Sequence, residues 1–151
     1  MLAENKNATA ILADLRQPAT VLGRDDTLRL LDFRKPVAAL LFAVLHFLAD
    51  DDSPGDIVAS FREMLSLGSS LVISHATDDH YPEELAQAVE LYHNTRNRLT
   101  PRTHDQVVQL FAGFDLAPPG VVLAPLWQPD PAEFIDPPRS LCYGGVGFKT
   151  I

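Results

Sequence analysis

The sequence predicts an α/β fold: a mostly parallel sheet between helices, closed by a C-terminal antiparallel hairpin. Three observations carry this. Residues 37–43 (VAALLFA) are apolar without alternation, the pattern of a strand covered on both faces. A helical pattern then separates this run from a second one at residues 69–74 (SSLVIS), so strand, helix and strand follow with short joins and imply a right-handed parallel crossover. Residues 121–127 and 140–149 read as two last strands on either side of a proline-rich connection, residues 129–138, and most simply pair with each other. Periodicity alone also lets residues 37–48 be a buried helix.

The elements follow in order. Residues 8–12 (ATAIL) form a short strand candidate that leads into Ala13-Asp14-Leu15-Arg16 and a break at Pro18. Short helical pieces fit residues 19–22 and 27–31 around Gly23. Pro36 opens the first long apolar run, which we read as a central strand, and its missing N–H does least harm at a strand's start. Ser53 reads as an N-cap with Pro54 at N1, and Ile57, Val58, Phe61, Met64 and Leu65 recur at helical spacing until Gly68. A longer helix is expected over residues 82–98, Arg96 included. Thr103 and Gln106 form a capping box ahead of Val107, Val108, Leu110 and Phe111, with Gly113 closing that helix.

Composition narrows the function. A chain of 151 residues, 46% hydrophobic and 21% charged, has the makings of one globular domain, residues 1–151. The formal charge of -8 leaves no broad basic surface for phosphates, so nucleic acid is disfavoured as a partner. One cysteine, Cys142, can close no internal disulfide and points to a reducing compartment. No run approaches the ~18 apolar residues of a membrane span, so a cytoplasmic location without membrane contact is expected. Ligands of open α/β sheets sit at the carboxyl ends of strands, which makes residues 42–47 the first place to look for a site.

Several blocks together resemble one known family. ADLR after the first strand candidate, PVAALLFAVLHFL, the helix ending in Leu67-Gly68, LVISHATDD, RTHDQVVQLFAGFDLAPPGVV before Trp127, and the final YGGVGFKT look like the actinobacterial S-adenosyl methyltransferase family. The resemblance spans nearly the whole chain. It implies a class I, Rossmann-like sheet and S-adenosylmethionine as cofactor, with no metal, and a methyl acceptor expected to be a small molecule. By the same resemblance Asp14 contacts the adenine amino group and Leu15 is its backbone neighbour. Phe42 and Ala43 lie under the methionine part. Leu45, His46 and Phe47 begin the adjoining wall, and His75 faces the acceptor. Such an enzyme works largely by holding acceptor and methyl in line.

One departure matters. A complete member begins with a strand and a glycine-rich loop that cradle the cofactor, whereas the first glycine here is Gly23, past Asp14. The chain is therefore expected to correspond to the C-terminal portion of the family, a truncated form. Residues 1–10 then read as the end of a preceding helix. Loss of the first strand leaves residues 37–43 as an open apolar edge, which invites self-association or occupation by residues 8–12. A non-catalytic assembly module that pairs through this edge is the alternative to an enzyme.

Plainer roles compete at each candidate. Asp14 also reads as an exposed loop-end acid. His46 reads more readily as a histidine bonded to nearby backbone than as a base, and His75 as loop structure or acceptor-side residue equally. His75, His80, His93 and His104 with Asp78 and Asp79 lack metal-ligand spacing. Ser74-His75 cannot act as a nucleophile pair, because strand neighbours point to opposite faces. Residues 144–147 (GGVG) lack the strand-to-helix context of a phosphate loop, and Tyr92, Trp127 and Tyr143 read as core aromatics.

Overall fold

The computed structural model describes residues 5–95, 97–130 and 140–151. Its helices are α1 (Ala19–Leu22), α2 (Asp25–Leu30), α3 (Pro54–Met64), α4 (Pro82–His93) and α5 (His104–Gln109). Its strands are β1 (Ala38–Phe42), β2 (Ser70–Ala76), β3 (Asp115–Leu116), β4 (Val122–Leu123) and β5 (Cys142–Phe148). The sheet order is β1-β2-β5-β3, with β4 also paired to β5. β1 and β2 are parallel, in register from Ala38↔Ser70 to Phe42↔Ser74. β5 runs antiparallel to β2, β3 and β4. The sheet is thus parallel where it starts and antiparallel from β2 onward.

One face of this sheet carries the core. Leu41 of β1 and Leu71 and Ile73 of β2 pack with Ile57, Val58 and Phe61 of α3, and with Phe111 and Phe114 after α5. Leu71 and Ile73 are wholly buried, each stabilising the fold by about 2 kcal/mol. The aromatics approach β5 so closely that a Cβ on Gly147 would stand 2.8 Å from Phe114 Cβ, and one on Gly145 3.1 Å from the Phe111 ring. Glycine is required there by space. At the end of α3, Lys149 Nζ donates to the carbonyls of Arg62 (2.9 Å) and Leu65 (2.8 Å), a cation on the helix's negative end.

The strand–helix–strand unit and the capping box match expectation: Thr103 N–H donates to Gln106 Oε1 at 2.9 Å, and Gln106 N–H to Thr103 Oγ at 3.4 Å. Other expectations change. β1 is an edge strand of the described sheet, as expected for a chain without the first strand, but it is not covered on both faces: Leu40 and Phe42 stay 56% and 57% exposed. Residues 8–12 form no strand and do not take the place beside β1, and Leu12 is almost fully exposed. Ser53 precedes α3 but caps nothing with its side chain; it sits at φ 51°, ψ 60°, turned out of capping geometry. α4 stops at His93, where Thr95 Oγ1 donates to the carbonyls of Tyr92 and Asn97 and closes the turn. The last hairpin shrinks to Val122↔Gly144 and Leu123↔Tyr143, since β5 takes β2 as its main partner and Pro125 turns the chain away in a 3-10 turn. Arg96, most of the proline-rich connection (residues 131–139) and the first four residues lie outside the described residues; residues 5–10 are not helical.

Candidate functional site

Past the carboxyl end of β1 the chain bends sharply. Ala43 takes φ 49°, its N–H held by the Ser74 carbonyl (3.3 Å) and Oγ (3.0 Å), and Leu45–Phe47 form a 3-10 turn. This turn and the segment around Asp14 line an open cleft of about 530 Å³ whose apolar residues are Leu12, Leu15, Val44, Phe47 and Leu48, with Ala13, Asp14, Arg16 and Asn97 completing the lining. A flat apolar-faced group fits between such walls, and Asp14 is the carboxylate at hand to accept a hydrogen bond from it.

Two arginines fix the walls. The segment around Asp14 has no ladder, so side chains hold it: Arg16 Nε donates to Asp52 Oδ1 (3.0 Å) and Arg16 Nη1 to Asp14 Oδ1 (3.3 Å). Asp52 also accepts from the Ala49 N–H (2.9 Å), which ties the loop after β1 to Arg16. The Arg16 backbone N–H, 3.0 Å from Asp14 Oδ1, and its guanidinium draw the Asp14 carboxyl below its ordinary range, keeping it ionised and acceptor-only at neutral pH.

The second arginine, Arg102, is 4% exposed and reaches the same loop from below. Its Nη1 donates to the Leu45 carbonyl (3.3 Å) and to His75 Nε2 (2.9 Å), its Nη2 to the Leu48 carbonyl (3.0 Å) and Asp50 Oδ1 (2.8 Å). His75, 0% exposed, donates from Nδ1 to the Ala76 carbonyl (2.8 Å), so its Nε2 is free to accept from Arg102. Burial, reinforced by the Arg102 charge, pushes the His75 imidazole down to about 4, and the ring is neutral. His46 is buried beside it; Nδ1 accepts the Ala76 N–H (3.2 Å), and burial lowers this imidazole too.

The cleft therefore brings together Asp14, Leu15 and Phe47 of the sequence-predicted set. Phe42, Ala43, Leu45, His46 and His75 fall outside its lining. Phe42 instead borders a hollow of about 300 Å³ with Ser74 and Trp127. Leu45 is fully buried and offers the site its carbonyl's position through Arg102. Sequence reasoning passed over Arg16 and Arg102. Both stood in the blocks ADLR and RTHDQ, but an arginine's partners 36 and 52 residues away are invisible without the fold.

A polar cluster closes the sheet's rim farther on. Tyr143 Oη donates to Asp79 Oδ2 (2.9 Å), which also accepts the His104 N–H (2.8 Å) at the start of α5. Burial first, then the Asp79 carboxylate, push the Tyr143 phenol up to about 12. His104 Nε2 donates to the Val121 carbonyl (3.0 Å) with Asp105 Oδ1 3.1 Å from Nδ1, and those two contacts raise its affinity for a proton. Among the described residues no group of His, Cys, Asp and Glu is arranged to hold a metal ion.

The sequence profile of a family described as S-adenosyl methyltransferase matches residues 1–150. The chain belongs to the S-adenosyl methyltransferase family. Three solved structures are similar to this chain. A DUF574 family protein from Streptomyces avermitilis is 32% identical, with a TM-score of 0.85 over 91% of this chain and 53% of its own. A methyltransferase-family protein from Thermobifida fusca is 29% identical, with a TM-score of 0.89 over 99% of this chain and 57% of its own. An O-methyltransferase family protein from Burkholderia thailandensis, 15% identical at a TM-score of 0.53, shares the fold over 93% of this chain and 35% of its own. No curated protein matches. This member of the S-adenosyl methyltransferase family spans little more than half the length of its two similar solved relatives. Among the described residues no helix is long and apolar enough to cross a membrane.

Proposed function

We propose that this chain forms the adenine-holding part of an S-adenosylmethionine-dependent methyltransferase that acts on a small molecule. The cleft between Asp14 and Phe47 supports the reading: apolar walls for a purine ring, and an ionised carboxylate to accept from its exocyclic amino group. The residues present fit that end of the cofactor. Its glycine-cradled end has no counterpart among the described residues near the cleft.

The bound cofactor supplies a methyl group on a sulfonium centre. The chain's own residues would act by binding and placement. Val44, Phe47 and Leu48 would shield the base from water, and Asp14 would select an amino-bearing purine over one with a carbonyl there, which would set two acceptors against each other. Arg16 and Arg102 hold the two walls at a fixed spacing. A net charge of -8 favours neutral or cationic acceptors over polyanions.

Calorimetry with S-adenosylmethionine and S-adenosylhomocysteine tests this. Binding is expected for both, weakened at least tenfold in Asp14→Ala, with S-inosylhomocysteine binding worse than S-adenosylhomocysteine. A folded chain that binds neither, or one in which Asp14→Ala changes nothing, overturns the assignment.

A further inference from the structure

Among the residues described around the Asp14 cleft, Asn97 brings the one uncharged polar side chain. It arrives on a loop fastened at three points. Thr95 Oγ1 donates to the carbonyls of Tyr92 (2.8 Å) and Asn97 (2.9 Å), closing the turn that ends α4. Leu99, buried, packs with Ala76 and Leu85, and Phe47 lies against the same cluster. The Thr100 N–H donates to the His46 carbonyl at 2.7 Å, which stitches the loop to the 3-10 turn that carries Phe47.

Every one of these ties runs through backbone or through neighbouring side chains. The Asn97 amide makes no hydrogen bond among the described residues, so two donor hydrogens and one acceptor oxygen are to spare beside the cleft.

The neighbouring groups decide what such an amide can add. Asp14 is ionised and only accepts, while Arg16 gives Nη1 to Asp14 and Nε to Asp52. An adenine whose amine goes to Asp14 still carries ring nitrogens, and these too can only accept. Among apolar residues such as Leu15 and Phe47, a ring nitrogen gives up water and needs an N–H in exchange. Asparagine suits adenine in this respect, since its amide nitrogen donates to a ring nitrogen in the plane of the base. The loop also belongs to the right wall, being stitched to the turn of Phe47.

We propose that Asn97 is a second base-reading residue of the cleft: its amide N–H donates to a ring nitrogen of the adenine whose amine Asp14 accepts. The proposal rests on the adenine reading of the cleft and sharpens it. Asp14 by itself accepts from any amine. With Asn97 the cleft asks for an amine and a ring acceptor at a set spacing.

Calorimetry tests this on the natural chain, Asn97→Ala and Asn97→Asp, with adenosine and the three deaza analogues that carry carbon in place of N1, N3 or N7. Asn97→Ala is expected to weaken adenosine at least fivefold, and Asn97→Asp more, because a carboxylate sets an acceptor against the ring nitrogen. One analogue is expected to bind the natural chain at least fivefold more weakly than adenosine does, and to bind Asn97→Ala equally well. The other two should keep the difference between the chains. In a sample labelled at asparagine side chains, the amide signals that vanish in Asn97→Ala should shift with adenosine. Urea midpoints of both variants should match the natural chain, since the fold holds Asn97 by its carbonyl. The proposal is overturned if Asn97→Ala binds adenosine as the natural chain does. It is equally overturned if the loss persists with all three analogues, the mark of a contact to the ribose. Should Asp14→Ala still weaken adenosine in either case, the adenine reading stands and only the role of Asn97 falls. A folded natural chain that does not bind adenosine brings down both.

Discussion

Arg102 does the most work of any single side chain. Its guanidinium satisfies two loop carbonyls and one imidazole nitrogen that water does not reach, and the planar fork serves all of them from one position. Removing it strands those acceptors. Arg102→Met is expected to destabilise the chain by about 2–4 kcal/mol in urea unfolding, and Arg102→Lys to recover less than half of that. His75 adds a pH dependence whose sign is fixed by burial. Its folded pKa, about 4, lies below the unfolded value near 6.5, so the unfolded state takes up the proton first. The stability that neutral His75 contributes is full above pH 6.5 and is lost as pH falls toward 4, by about 3 kcal/mol in all. His46 moves in the same direction. Urea midpoints between pH 7 and 4.5 should fall steeply for the natural sequence and more gently for His75→Gln. Equal slopes would show that His75 is not buried as neutral imidazole.

Two helix starts with similar sequence credentials behave differently. Thr103 makes its capping box, and Thr103→Ala is expected to cost about 1 kcal/mol. Ser53 has a left-handed backbone and no capping bond, so Ser53→Gly should be neutral or stabilising by up to about 1 kcal/mol. Thermal melts of both variants give the comparison, and a loss at Ser53 similar to that at Thr103 would contradict the structure. The contrast also shows what was legible beforehand. Thr103 and Gln106 are three residues apart, and a rule of local spacing reads them. Ser53 is misread because the 3-10 turn at Asp50–Asp52, tied back by the Ala49 N–H to Asp52, delivers the chain at an angle that local sequence does not encode. The strand–helix–strand unit was readable from hydrophobic runs, and the resemblance of ADLR singled out Asp14, which lines the cleft. What escaped were the long-range ties: Arg16 to Asp52, Arg102 to the loop after β1, and β5's preference for β2 over β4. Nothing in residues 142–148 marks their partner, except that Gly145 and Gly147 leave room for Phe111 and Phe114. Gly147→Ala should therefore cost about 1–3 kcal/mol, measured by the same melts.

At the scale of the whole molecule the two sheet faces differ in kind. One is sealed by α3 and the Phe111–Phe114 segment. The other leaves Leu40 and Phe42 more than half exposed beside half-buried Val72 and Val146. Apolar surface gathered in one patch attracts an apolar probe, whereas the same area scattered singly does not. The native chain at neutral pH should thus bind an anilinonaphthalene dye despite its charge of -8, which opposes anionic dyes generally. Placing lysine at Leu40 or Phe42 adds a cation that would attract the dye, so a smaller signal could arise only from loss of the apolar patch. Glutamate at either position would confound patch loss with repulsion. Leu40→Lys and Phe42→Lys are expected to cut dye fluorescence by at least half. They should leave the urea midpoint nearly unchanged, because side chains already in water lose little when replaced. Undiminished fluorescence in both variants would place the dye elsewhere and would mean that this face is not the apolar surface the sheet order makes it.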